Sequence, residues 1–178
     1  EVALPGSTLE YFKLYYQGAH YFPINEDFTF LLSGNLGYGD SYRDTIGRQN
    51  PNSPTKDGRV RLSGLPFFEN FYAGGIAAQG KVRGFVDNTL GPAYTSASGY
   101  RQPLGGSFLL AGSVEAIFPK LFDSPAARVS AFLDFGNVYN GWDNFSASDL
   151  RASAGVALLW RSPMGPLSIS YAMPLRKK

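Results

Sequence analysis

The sequence predicts an all-β fold: an antiparallel transmembrane β-barrel, of which this chain forms a six-stranded segment. Three observations carry the prediction. Apolar residues recur at every second position in six windows, the apolar parity of each window is free of charge, and the connections between windows alternate in length. Composition agrees, because 21 Gly and an aromatic content of 15% favour strands and tight turns over helices. A length of 178 residues suits one domain.

Phe12 to Gly18 sets Phe12, Leu14 and Tyr16 against Lys13, Tyr15 and Gln17. Phe28 to Tyr38 has Phe28, Phe30, Leu32, Gly34, Leu36 and Tyr38 on one side and Thr29, Leu31, Ser33, Asn35 and Gly37 on the other. From Ser107 to Phe118 the apolar set is Phe108, Leu110, Val114, Ala116 and Phe118, opposite Ser107, Ser113 and Glu115. Val129 to Tyr139 places Val129, Ala131, Leu133 and Phe135 against Ser130, Phe132, Asp134 and Gly136. Leu150 to Trp160 sets Leu150, Ala152, Ala154, Val156, Leu158 and Trp160 against Arg151, Ser153, Gly155, Ala157 and Leu159. In the last window Leu167, Ile169, Tyr171, Met173 and Leu175 oppose Ser168, Ser170 and Ala172. A period of two marks a strand with one apolar face.

Alternation alone also fits a soluble sandwich, whose apolar faces meet each other. Further features favour lipid. The apolar faces run for about 10 residues, the span of a tilted strand in a bilayer. Tyr38, Tyr139, Trp160 and Tyr171 mark their ends, with Tyr21 and Phe22 flanking the first, as an aromatic girdle does. The other face and its flanks collect Lys13, Glu115, Arg128, Asp134, Arg151 and Arg161. The connections are Pro23 to Asp27, then Gly39 to about Gly105, then PKLFDSPAA, NGWDNFSASD and SPMGP. Short turns alternating with longer loops are the asymmetry of an outer-membrane barrel. Six strands in lipid leave two bare edges, and such barrels start at about eight strands. The chain is therefore expected to be a piece of a larger barrel, with strands on both sides.

Other classes find little support. A net charge of +2 from scattered basic residues gives no footprint for nucleic acid. Zero Cys removes thiolate metal sites and disulfides. His20, the single His, reads as a rim residue at the end of the first strand rather than a ligand. Asp40, Asp44 and Asp57 lack calcium-loop spacing. No GxSxG occurs and no motif surrounds His20, so neither a catalytic residue, a metal nor a cofactor is expected. There is no apolar run of transmembrane-helix length, and no signal peptide is visible at EVALPGSTLEY.

The stretches PFFENFYAGG (Pro66 to Gly75), VRGF (Val82 to Phe85), NTLGP (Asn88 to Pro92), FLDFGNVY (Phe132 to Tyr139) and SPMGPLSISYAMPLRKK (Ser162 to Lys178) resemble the BamA family of outer-membrane β-barrel assembly factors. They occur in the family's order and span most of the chain. VRGF alone is weak, since related polypeptide transporters share it; the set together is specific. The resemblance implies a sixteen-stranded barrel in the bacterial outer membrane, preceded by periplasmic POTRA domains. Residues 1–178 would supply the C-terminal part of that barrel, strands ten to fifteen, with the long extracellular loop 39–105. The POTRA domains, the first nine strands and the last strand would be absent. It also implies a non-enzymatic scaffold that helps nascent outer-membrane proteins insert. Outer-membrane lipids and assembly lipoproteins, the latter mainly through the POTRA domains, would be its other partners.

By the same resemblance, the loop folds back into the barrel and Arg83 meets acidic residues of the inner wall, which by motif position are Glu115 and Asp134. Parity supports this, since both carboxylates fall on the polar side of neighbouring strands. A planar guanidinium can bridge two carboxylates. Gly84 would let the backbone turn beside Arg83, Phe85 would cover the pair, and Val82 completes the motif. The bland alternative makes Arg83 a solvated loop charge and the two acids mere lumen lining. FFENFYAGG reads equally as a brace for the loop base or as local packing. Arg176 to Lys178 reads as a solvated rim. The competing functions are a polypeptide-secretion pore of a related family, a passive porin, and a soluble sandwich that binds ligands.

Overall fold

The computed structural model describes residues 1–4, 10–41, 65–119 and 126–176. Asp44, Asp57, Lys177, Lys178 and most of the PKLFDSPAA connection lie outside them. Each predicted window is a strand: β1 (Tyr11–Asn25), β2 (Phe28–Ser41), β5 (Phe108–Phe118), β6 (Ala127–Tyr139), β7 (Arg151–Ser162) and β8 (Gly165–Arg176). They form one sheet in the order β1-β2-β5-β6-β7-β8, antiparallel at every pairing. The connection between β2 and β5 carries a small hairpin, β3 (Ala93–Thr95) with β4 (Arg101–Pro103), which the alternation did not foretell.

Several boundaries move. β1 continues through Pro23, Ile24 and Asn25, so its turn into β2 is only Glu26 and Asp27. His20 consequently sits inside β1 rather than at its end, opposite Leu32 and against the Phe22 ring. Asp40 belongs to β2, not to a loop. β7 and β8 join through Pro163 and Met164 alone, with the Ser162 hydroxyl donating to the Gly165 carbonyl.

Register carries parity from strand to strand. One row across the sheet reads His20, Leu32, Val114, Leu133, Ala154 and Met173; its neighbour reads Ser33, Ser113, Asp134, Ser153 and Pro174. The first row lies on a bare face, where Leu14, Tyr16, Leu32, Val156, Ile169 and Tyr171 are all exposed. An apolar surface of that extent suits hydrocarbon, not water.

The second face is not uniformly polar, and the alternation missed this. Leu109, Ala111 and Val138 share the parity of Ser113 and Asp134, yet they are buried with Leu65, Phe71, Ala73, Val82 and Leu90 in one apolar cluster. The segment from Leu65 to Gly106 folds onto this face and supplies the other half of the core. Gly37 shows how closely it approaches: a Cβ there would stand 2.7 Å from the Phe71 ring, so only glycine lets that ring rest on the β2 backbone.

Candidate functional site: an arginine tether on the loop-bearing face

The loop reaches the sheet as a set of short bridges rather than regular structure. Phe71 and Gly106 exchange backbone hydrogen bonds at its base. Farther along, Gly75 and Val82 exchange another pair, at 2.9 and 3.1 Å. Asp87 closes the intervening turn by accepting from the Ile76 and Ala77 amides. These bonds seat Val82 in the core with no exposed surface and turn Arg83 towards β5, β6 and β7.

Arg83 lands on the second of the two rows, at Ser113, Asp134 and Ser153. Its Nε donates to Asp134 Oδ2 at 2.7 Å and its Nη2 to Asp134 Oδ1 at 2.8 Å, a two-pronged contact. The backbone N–H of Arg83 donates to Asp134 Oδ2 as well, at 3.0 Å. Nη2 also reaches Glu115 Oε2 at 3.0 Å and Ser113 Oγ at 3.1 Å. The Ser113 hydroxyl donates to Asp134 Oδ1, and the Ser153 hydroxyl to the Arg83 carbonyl. Asp134 is 1% exposed and Arg83 5%, so the pair has left solvent and both partners are hydrogen-bonded on several sides, the condition under which such a pair is tolerated. Burial works against the guanidinium's charge, but the bonds to Asp134 and Glu115 prevail and hold its pKa above the ordinary value.

The remaining motif residues separate by role. Gly84 turns with φ +85°, and a Cβ there would lie 3.1 Å from that of Ala172, so strain and crowding both exclude a side chain. The ring beneath the guanidinium is that of Phe132, 3.3 Å from Cζ. Phe85, expected to cover the ion pair, packs on the apolar cluster. Sequence reasoning missed Phe132, Ser113 and Ser153 as partners, although all three lie on the polar parity. The missing signal was register, which sets Ser113 and Ser153 on either side of Asp134 and Phe132 beside Glu115.

A second attachment lies on β1. Lys13 Nζ meets Glu69 Oε2 at 3.3 Å and stands 4.8 Å over the Phe71 ring. Tyr15 and Asn35 both donate to the Gln79 carbonyl. The FFENFYAGG stretch thus divides: Phe71 and Ala73 are buried, and Phe67 and Phe68 are exposed. Among the described residues no group of three or more His, Cys, Asp or Glu side chains is placed to hold a metal ion.

The whole chain, residues 1–178, matches the Omp85 superfamily domain. It is 36% identical to the outer membrane protein assembly factor BamA of Neisseria meningitidis serogroup B, over 100% of this chain and 23% of that protein. Against BamA of Nitratidesulfovibrio vulgaris it is 35% identical over 68% of this chain and 15% of the relative. The crystal structure of BamA from Haemophilus ducreyi lacking POTRA domains 1–3 superposes with a TM-score of 0.74 and 30% identity, over 99% of this chain and 34% of that one. The chain thus spans less than a quarter of the length of these curated relatives. It belongs to the Omp85 superfamily, as a BamA-type C-terminal segment of a barrel in the bacterial outer membrane.

Proposed function

We propose that this chain is the C-terminal barrel part of an outer-membrane protein assembly factor, a non-enzymatic scaffold that assists folding and insertion of other β-barrel proteins. In this reading the connection expected at residues 39–105, which begins only after Ser41 at the end of β2, forms an extracellular loop latched inside the barrel by Val82 to Phe85. The POTRA domains and remaining strands belong to the parent protein. The observation that carries the latch is the withdrawal of Arg83 and Asp134 from solvent, with three hydrogen bonds between them. The names of the relatives support the assembly role. Nascent outer-membrane proteins are the substrates in this reading, and lipids and assembly lipoproteins its other partners.

The test uses the complete parent protein in cells that depend on it. Arg83→Ala lowers outer-membrane protein levels. The exchange Arg83→Glu with Asp134→Arg recovers only part of them, because Asp134 also accepts from the Arg83 amide and Ser113. Normal levels with Arg83→Ala would overturn the latch. High ion conductance from a purified parent that gives no folding assistance would overturn the assembly role in favour of a porin.

A further inference from the structure

Phe108 and Tyr139 lie on the parity that faces hydrocarbon, yet they are only 3% and 5% exposed, while Leu133 and Val156 on the same face are 43% and 53% exposed. The connection from β6 to β7 accounts for the difference. Two single 3-10 turns, Trp142–Asn144 and Ala147–Asp149, fold it over the outward face of the barrel instead of its interior. Trp142 meets Phe108 edge-on at 5.0 Å between ring centres, and Phe145 packs on Tyr139 at 5.3 Å and parallel to Trp142 at 6.1 Å. The Tyr139 hydroxyl donates to the Ser146 carbonyl.

Asn137 makes the direction of folding intelligible. It sits on the outward parity of β6, where an uncovered amide would face lipid, and unpaired polar groups are costly there. It is 5% exposed. Its amide donates to the Asp149 carbonyl at 2.7 Å and its carbonyl accepts from the Val138 N–H. The connection therefore seals a polar position in an apolar wall and, in doing so, presents a new outer surface. Trp142 is 62% exposed and Phe145 38%, and the polar Asp143 and Asn144 between them are exposed too.

We propose that residues 140–150 form an interfacial anchor, with Trp142 and Phe145 seated at the boundary between headgroups and acyl chains of the outer leaflet. The occupant is lipid because this patch continues the lipid-facing surface of β5 and β6 without a break. Depth agrees. The 13 residues of β6 span roughly 30 Å of membrane when tilted by about 45°. Trp160, the other Trp of the chain, pairs with Ala127 at the far end of β6. The two indoles thus stand about one hydrocarbon thickness apart, where amphipathic rings are favoured. The loop end faces outward because long connections of such barrels are extracellular.

The test places single nitroxide-labelled cysteines at positions 142, 143, 144 and 145 of the full parent protein in phospholipid vesicles, with Leu133→Cys and Val156→Cys as controls. Collisions with oxygen and with a water-soluble nickel chelate are compared. Labels at 142 and 145 show a several-fold oxygen preference relative to 143 and 144. Equal, chelate-dominated collision at all four positions, with oxygen preferred at the controls, would overturn the anchor alone. Chelate-dominated controls would overturn the barrel orientation with it. Because a label can unseat the loop, the fluorescence lost on Trp142→Phe is also followed. Its quenching by lipids brominated near the headgroup supports the anchor, and quenching only by aqueous iodide overturns it.

Discussion

At β5 to β7 the loop gives up an arginine to a carboxylate that is 1% exposed; at β1 it receives a lysine on a carboxylate whose side chain is 27% exposed. The two attachments join the same loop to the same face, and both combine an ion pair with an aromatic ring. Their geometry differs. Arg83 engages Asp134 through three donors, with Glu115, Ser113 and Ser153 around it, whereas Lys13 makes one contact at 3.3 Å. Removal of one partner from a desolvated, multiply bonded pair leaves a buried charge and costs about 3–5 kcal/mol. A single partly exposed pair is worth about 0.2–1 kcal/mol. The lesson is that the first attachment fixes the position of the loop and the second trims it.

The largest expected effect follows from Asp134→Ala. It strands the Arg83 guanidinium and removes the acceptor of the Arg83 amide. Hydrogen exchange of residues 73–90 in the purified parent protein should accelerate by about two to four powers of ten, the equivalent of roughly 3–5 kcal/mol. Exchange unchanged within a factor of a few would show that the apolar cluster alone holds the loop, and the comparison would collapse.

Glu115→Gln is the intermediate case. Glu115 accepts a single bond from Nη2, and its side chain is 18% exposed. The amide oxygen of glutamine can still accept, so the loss is the charge assistance, about 1 kcal/mol. Exchange at the Arg83 amide should rise several-fold while that at the Phe71 amide stays constant. An effect as large as that of Asp134→Ala would mean the two carboxylates act as one unit and share the arginine equally.

Much of this arrangement was legible in the sequence. Six windows of period two became six strands because one face of each is mainly apolar and free of charged residues. The meeting of Arg83 with Glu115 and Asp134 was anticipated from parity and from the resemblance. What stayed hidden depended on pairing. Ser113, Ser153 and Phe132 surround the arginine only once neighbouring strands have been set in register. Leu109, Ala111 and Val138 look misplaced on a polar parity until the loop that covers them is placed. Asn137 likewise breaks the apolar face, and nothing in its neighbours shows that residues after Gly141 return to cover it. The hairpin β3–β4 has three residues per strand, too few for any period to register.

The smallest effect sharpens the comparison most. Lys13→Met keeps an unbranched apolar side chain over Phe71 while removing the charge that faces Glu69 and the ring. The expected loss is about 0.5–1 kcal/mol, from a screened pair and a cation–π contact, and should appear in exchange at the Phe71 amide, which bonds the Gly106 carbonyl. Salt distinguishes the two attachments independently of magnitude. Raising ionic strength from 0.1 to about 1 M shortens the screening distance from about 10 to 3 Å, which weakens the solvent-accessible Lys13–Glu69 pair and leaves the withdrawn Arg83–Asp134 pair nearly untouched. The difference between wild type and Lys13→Met should therefore shrink at high salt to the cation–π share, and that between wild type and Asp134→Ala should persist nearly whole. If both differences shrank together, solvent would reach Arg83 in the parent protein, and its loop would be held by packing rather than by charge.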